Sequence, residues 1–313
     1  MKDNNKELLG IIFEKHLKFF DNEIIINLLV LYKNKIPISN SDLYKQIDND
    51  KYKLSTELKG DFEEYDSSYY LFNACLLGNV FMVKYLVERG ADINKVDNEG
   101  KTPLFYACYS ENENIVRYLV RLGVDINQEN KFEVTPIFKA CLSKNVHLVE
   151  YLVSLGANIN KIDNKGKTPL FDACYGGNEN IVKYLVSLGA DVSKENENGE
   201  TALFNACYGG NLNIVKYLVE HGLDINKENK HGKTPLFDAC MSKNVHLVEY
   251  LVSLGADINK VNKFGETPLY YVCMYGNENM VNIVKYLFEH GADINKKDII
   301  GETPLYKACE NGN

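Results

Sequence analysis

The chain of 313 residues has the composition of a soluble globular protein, with 45% apolar and 25% charged residues, which excludes a disordered or collagen-like chain. Its longest apolar run, residues 24–32, falls far short of the ~20 residues that a membrane span needs, and its N-terminus lacks a secretory signal pattern. The formal net charge of −8, with 43 acidic and 35 basic side chains, argues against a nucleic-acid partner. We therefore expect an intracellular protein, in the cytoplasm or the nucleus, that binds neither membrane nor nucleic acid.

Residues 1–64 carry helical periodicity but do not share the pattern of the rest of the chain. Residues 7–20 and 21–33 are predicted to form two amphipathic helices, and residues 41–47 a third. Two interpretations stay open for this segment. It is either a helical cap that covers the N-terminal end of residues 65–313, or a separate docking module.

The eight cysteines define the organisation of residues 65–313. Six successive gaps between them are 33 residues long and the last is 36 residues. The cysteines are Cys75, Cys108, Cys141, Cys174, Cys207, Cys240, Cys273 and Cys309. A period of this length indicates tandem repeats, here seven complete units and an eighth that stops after its first helix.

One unit shows the pattern that all of them share. Thr168 is predicted to cap a helix with its hydroxyl group, and Pro169 occupies the first helical position, where a missing N–H costs nothing. This short helix is expected to run through Cys174. Residues 181–188 then place a broad apolar face on a second helix, which Gly189 ends in a left-handed conformation. Neither helix can bury its apolar face alone, so the units must stack.

This pattern resembles the ankyrin repeat, which has a 33-residue period and a Thr-Pro-Leu-His-x-Ala signature. The resemblance implies an all-α solenoid in which each unit has a helix-turn-helix and a β-hairpin or loop. The chain departs from the signature at several positions. An aromatic residue replaces the signature histidine in every unit, and Glu133 stands where glycine is usual.

The cysteines and histidines give no indication of a metal site, a disulfide or catalysis. Stacked helices lie ~8–10 Å apart, which is too far for a disulfide between cysteines in register, and no Cys-x-x-Cys motif occurs. We predict small buried cysteines, no catalytic residues, no metal and no cofactor.

The resemblance implies that partners bind along a concave groove lined by the first-helix ends and the hairpin tips. Tyrosine and methionine suit such a surface because they bury a large contact area and adapt to a partner. The candidate helix-end residues are Tyr109, Leu142, Tyr175, Tyr208, Met241 and Met274, and the candidate tip residues are Phe132, His231 and Phe264. The alternative is that the helix-end slot is partly buried between neighbours and merely extends the core.

The sequence therefore predicts a monomeric, non-catalytic scaffold or adaptor that binds a partner protein. A second interpretation is the targeting or substrate-recognition portion of a larger enzyme or ubiquitin-ligase assembly. The family also implies a modification, hydroxylation of asparagine, at Asn94, Asn127, Asn226, Asn259 and Asn295.

Overall fold

The computed structural model describes residues 67–276 and 280–312, so the predicted cap or docking region at residues 1–64 lies outside the described residues. The described part consists of helices and loops, with no β-strand in it. The helices are α1 (Ser67–Leu76), α2 (Val80–Glu88), α3 (Pro103–Tyr109), α4 (Glu113–Arg121), α5 (Pro136–Leu142), α6 (Val146–Ser154), α7 (Pro169–Gly176), α8 (Glu179–Ser187), α9 (Ala202–Tyr208), α10 (Leu212–Glu220), α11 (Pro235–Met241), α12 (Val245–Ser253), α13 (Pro268–Tyr275), α14 (Val281–Glu289) and α15 (Pro304–Asn311). The predicted all-α repeat architecture is confirmed.

The chain divides into two compact units. Among the described residues, 67–74 and 79–92 belong to one unit, and 75–78, 93–276 and 280–312 belong to the other. In the first unit, the Asn79 side chain caps α2 by accepting a hydrogen bond from the Met82 N–H at 3.0 Å. The side chains of Met82 and Val83 are fully buried.

In the described residues, the second unit is a row of six helix pairs, each with a short first helix and a nine-residue second helix, followed by the single first helix α15. Consecutive first helices, from α3 to α15, pack against each other more extensively than consecutive second helices do. In α7, Leu170, Phe171, Ala173 and Cys174 are completely buried, and the same four slots are buried in α3, α5, α9 and α11. The core is therefore continuous from one repeat to the next, as stacking units require.

One asparagine in most repeats both caps a second helix and binds the repeat before it. The Asn178 Oδ1 atom accepts from the Asn180 and Ile181 N–H groups, while its Nδ2 atom donates to the Lys144 carbonyl at 2.7 Å. Asn112, Asn145 and Asn244 make the same pair of interactions. Each of these side chains accepts from an otherwise unpaired N–H group at the start of its helix and fixes the register between two neighbouring repeats.

The predicted hydroxyl cap on the first helix is wrong for Thr168. Its Oγ1 atom is buried without a hydrogen bond, because the Phe171 N–H donates to the Thr168 carbonyl at 3.0 Å instead. The same holds for the threonines at positions 102, 135, 201 and 234. Only Thr267 and Thr303 accept from the third helical N–H, which in both repeats belongs to a tyrosine. At the other five threonines the first turn of the helix is tight, so the N–H of the third helical residue donates to the threonine carbonyl and is no longer available to the threonine hydroxyl group.

The segments between repeats form turns that project from the helix pairs and contact one another. The Asp163 carboxylate accepts from the Lys165 and Lys167 N–H groups, and an Asp or Asn makes this pair of bonds in each of the seven loops from Asp97 to Asp298. The Glu197 N–H then donates to the Lys165 carbonyl of the preceding tip at 2.9 Å. Glu133 has a φ of 60° at a loop position that glycine occupies in the other repeats, so it is held in the left-handed region.

The cysteines have the buried positions that we predicted, except near the C-terminal end of the described residues. Six thiols, from Cys75 to Cys240, are buried and free, whereas Cys273 is half-buried and Cys309 is exposed. Burial raises the pKa of the Cys75 thiol to about 12. These six side chains therefore act as small apolar core residues.

Candidate protein-binding surface

One slot of the first helix varies while the residues around it stay nearly constant. In the heptad Thr-Pro-Leu-Phe-x-Ala-Cys, the slot x is occupied by Tyr106, Lys139, Asp172, Asn205, Asp238, Tyr271 and Lys307. The Leu, Phe, Ala and Cys side chains of the heptad point into the core in most repeats. Residue x lies on a different side of the helix and is therefore half-buried. These residues were not among the predicted site residues, although their variation inside an otherwise repeated heptad was a usable signal.

Three of these slots, on α7, α9 and α11, lie along one cavity of about 320 Å³. Its lining comes from both first helices and loops: Lys167, Asp172, Tyr175, Glu200, Phe204, Asn205, Tyr208 and Asp238. We call these eight residues the acidic pocket, because three carboxyl groups and one ammonium group line it. Its volume is at the lower end of the range for ligand sites in proteins.

The Asp172 and Asp238 carboxyl groups have no hydrogen-bond or ion-pair partner among the described residues. Burial raises the pKa of Asp172 to about 6, although Lys139 and Lys167 act in the opposite direction. Burial, together with the nearby Glu200 carboxylate, raises the pKa of Asp238 to about 7, although Lys233 and Lys167 act in the opposite direction. Both shifts have the same cause, since neither carboxylate receives the donors that would replace its lost hydration.

Glu200, which lines the pocket, and Lys233 beside it have partners, whereas no hydrogen bond or ion pair involves the Lys167 ammonium group among the described residues. The Glu200 carboxylate accepts from the Asn196 and Asn229 Nδ2 atoms, each at 2.9 Å, and is therefore fixed at the loops. The Lys233 Nζ atom lies 4.2 Å from the centre of the Tyr271 ring and donates to the hydroxyl group of that tyrosine. Asp172 and Asp238 thus stand out as the carboxyl groups whose hydrogen-bonding capacity is unused.

The structure places the predicted helix-end residues in two classes. Tyr109, Tyr175 and Tyr208 are between 45% and 58% exposed, whereas Leu142, Met241 and Met274 are half-buried between neighbouring repeats. The Tyr175 and Tyr208 rings lie together, with their centres 5.9 Å apart and their planes at 24°. These two rings form the rim of the acidic pocket.

The predicted tip residues are exposed but lie on separate loops. Phe132 and Phe264 are 43% and 49% exposed, and His231 is also exposed. The backbone carbonyl of each accepts from an N–H of the following tip, which orders the tips in a row. In the described part of the chain, no hydrogen bond or ring stacking joins the three side chains to one another.

A family model described as ankyrin repeats (3 copies) matches residues 43–130, 122–196, 188–262 and 254–313. The chain belongs to the ankyrin-repeat family. Ankyrin repeats are in general protein-interaction modules and are typically not enzymes, so this family assignment points to binding as the coarse function of the array.

Among solved structures, the crystal structure of the human ASB11 ankyrin repeat domain is similar to this ankyrin-repeat chain. The two share 27% sequence identity with a TM-score of 0.56, over 66% of this chain and 92% of that chain. No curated protein matches the sequence.

Neither a membrane-spanning helix nor a metal-binding cluster is present in the described part of the chain. In the residues that the structure describes, no helix is both long enough and apolar enough to cross a bilayer. The same residues contain no group of three or more His, Cys, Asp or Glu side chains placed to hold a metal ion.

Three of the five asparagines that the family implies as hydroxylation sites join adjacent repeats. The Asn127 Nδ2 atom donates to the Gly156 carbonyl at 3.1 Å, and its Oδ1 atom accepts from the Asn158 N–H at 3.1 Å. Asn226 and Asn259 make the equivalent bonds to the repeats that come after them. These amides already have a structural role in the stacking.

Proposed function

We propose that this protein is a non-catalytic scaffold that binds a partner protein along the face formed by the first-helix ends and the loop tips. We call this surface the groove face, and it comprises the acidic pocket together with Tyr109, Leu142, Phe132, His231, Met241, Phe264 and Met274. The observation that carries the proposal is the stacked pair of Tyr175 and Tyr208, which remain about half exposed at the edge of a cavity.

The composition of this face supports a protein partner. Tyrosine is enriched at protein interfaces because it presents a large, rigid area with a polar tip. The half-buried Leu142, Met241 and Met274 supply apolar floor beside the exposed rings. Apolar and aromatic anchors then recur at intervals of one repeat, about 8–10 Å, which suits an extended segment or a helix lying across several repeats.

The test is the double substitution Tyr175→Ser with Tyr208→Ser, followed by affinity capture from cell lysate and mass spectrometry. The proteins that wild type captures should fall several-fold with the variant, while its thermal unfolding should change little because both rings are exposed. A matched control is Leu155→Ser with Leu188→Ser, which removes two side chains of similar exposure, 43% and 46%, at the ends of second helices. Equal capture by wild type and the tyrosine variant would refute the proposal.

A further inference from the structure

Two half-buried carboxyl groups in the acidic pocket lack hydrogen-bond and ion-pair partners among the described residues, and this is unusual for groups that have lost much of their hydration. A buried carboxylate is normally paired or held by several hydrogen-bond donors, because losing water without replacement is costly. Asp172 and Asp238 have neither, and both line a cavity that is open to the groove face. Asp172 and Asp238 lie two repeats apart along the same cavity, and each carries a cost that a bound cation would offset.

The surroundings of the two carboxyl groups do not supply that cation. Asp172 is faced by Lys139 of α5 and by Lys167 and Asp163 of a loop. Asp238 is faced by Glu200, Lys233 and Lys167 of the loops. The thiols against them belong to Cys141, Cys207 and Cys240, whose pKa burial raises, so these thiols stay neutral. The lysines remain too far away to form an ion pair with either aspartate.

The rim of the acidic pocket fits a cationic side chain better than a metal ion. The described residues hold no group of three metal-binding side chains, the pocket included. The stacked rings of Tyr175 and Tyr208 instead offer aromatic faces, which attract a guanidinium or ammonium group. Between the aspartates, the Asn205 side chain adds an amide oxygen that can accept from an N–H donor. Arginine matches this set best, since its planar group carries five donors and also stacks on tyrosine.

We infer that the acidic pocket receives a basic side chain, preferentially arginine, from the protein segment that occupies the groove face. The guanidinium group enters beside Asn205 and pairs with the Asp172 or the Asp238 carboxyl group, which line the same cavity two repeats apart, and its plane lies against the tyrosine pair. This inference rests on the proposed function, because it names the chemistry of a partner that the groove face would bind.

The probe for the test is a library of random dodecapeptides displayed on phage, panned against the full chain. Peptides that bind the groove face are identified because they no longer bind the Tyr175→Ser and Tyr208→Ser variant. We expect these peptides to be enriched in arginine or lysine, and we expect the enrichment to disappear when Asp172→Asn with Asp238→Asn is panned instead. Asparagine keeps the shape of both side chains, removes their charge and replaces one acceptor oxygen with an NH2 donor. We expect the folded array to be retained, which circular dichroism checks.

The affinity of one selected peptide then provides the quantitative test. Replacing its arginine by citrulline, which is uncharged, should weaken binding to wild type by about tenfold or more, and the change should have little effect on binding to the Asp172→Asn and Asp238→Asn variant. Binding to wild type should also weaken by about tenfold from pH 8 to pH 5 as the two carboxyl groups take up protons, whereas the variant should show a flatter profile.

The outcomes separate the inference from the proposed function. The inference of a bound basic side chain is refuted if the groove-binding peptides lack basic residues, or if they bind the Asp172→Asn and Asp238→Asn variant as tightly as wild type. The groove face would still be a binding surface in either case. If every selected peptide binds the tyrosine variant as well as wild type, both the inference and the proposed function are refuted.

Discussion

The substitution Asp238→Asn tests the electrostatics of the acidic pocket without any partner. In the folded protein the pKa of this carboxyl group is about 7, above its ordinary value of 3.8, because burial disfavours the charged form. The folded state therefore binds more protons than the unfolded state between these two values, so the stability of wild type falls as the pH rises through this window. Above pH 7 the ionised carboxylate carries its full cost.

The size of the effect follows from the two pKa values. A rise from 3.8 to about 7 corresponds to about 4 kcal/mol of destabilisation once the group is ionised in both states. Because Asp238 is half-buried and its carboxyl group reaches an open cavity, water screens part of this cost, and we expect about 2–3 kcal/mol. Asparagine cannot ionise, so Asp238→Asn should stabilise the array by that amount at pH 8 and by about half to two-thirds as much at pH 5.

Urea denaturation followed by far-ultraviolet circular dichroism, from pH 5 to pH 8, measures this difference. The matched control is Asp163→Asn, which also removes one carboxylate but keeps the two loop hydrogen bonds, since asparagine makes them in neighbouring repeats. We expect a smaller change from the control. A gain for Asp238→Asn that is absent at pH 8, or equal at both pH values, would show that the carboxyl group is hydrated normally.

Three further predictions concern the scaffold itself. Asn178→Ala should lower the free energy of unfolding, measured by urea denaturation, by about 2 kcal/mol, because it removes both a helix cap and a hydrogen bond to the previous repeat. The Asn211 side chain does not cap its helix, so Asn211→Ala should lower the same free energy by about half as much. Gly166→Ala should be more destabilising than Gly189→Ala. Both glycines have a positive φ, but only at Gly166 would an added Cβ atom lie 2.9 Å from a backbone nitrogen of the next tip, that of Glu197. Thermal melts in which both variants lose the same melting temperature would contradict this prediction. A thiol reagent should modify the exposed Cys309 first and leave the six buried thiols unmodified until the protein unfolds, as mass spectrometry over time would detect.

The candidate site was only partly predictable from the sequence. The helix-end slot was found, and it includes the exposed Tyr175 and Tyr208, because its position in each repeat follows from the period alone. The three half-buried members of that slot match the alternative interpretation, in which the slot extends the core. Asp172 and Asp238 were missed because an aspartate on a short helix is expected to be solvated until the packing of the neighbouring first helices and loops around it is known.

The sequence by itself determined the repeat, its helix pairs and its buried cysteines. These features are local or strictly periodic, so that a residue such as Gly189 ends its helix for reasons contained in its own segment. The tertiary structure decided how each polar group is satisfied. In the folded chain the Phe171 N–H donates to the Thr168 carbonyl, and the Thr168 hydroxyl group has no partner. The packing of the repeats also places the Asp172 and Asp238 carboxyl groups along one cavity. Hydrogen bonding and hydration depend on which atoms of adjacent repeats meet, and that contact exists only once the repeats are stacked.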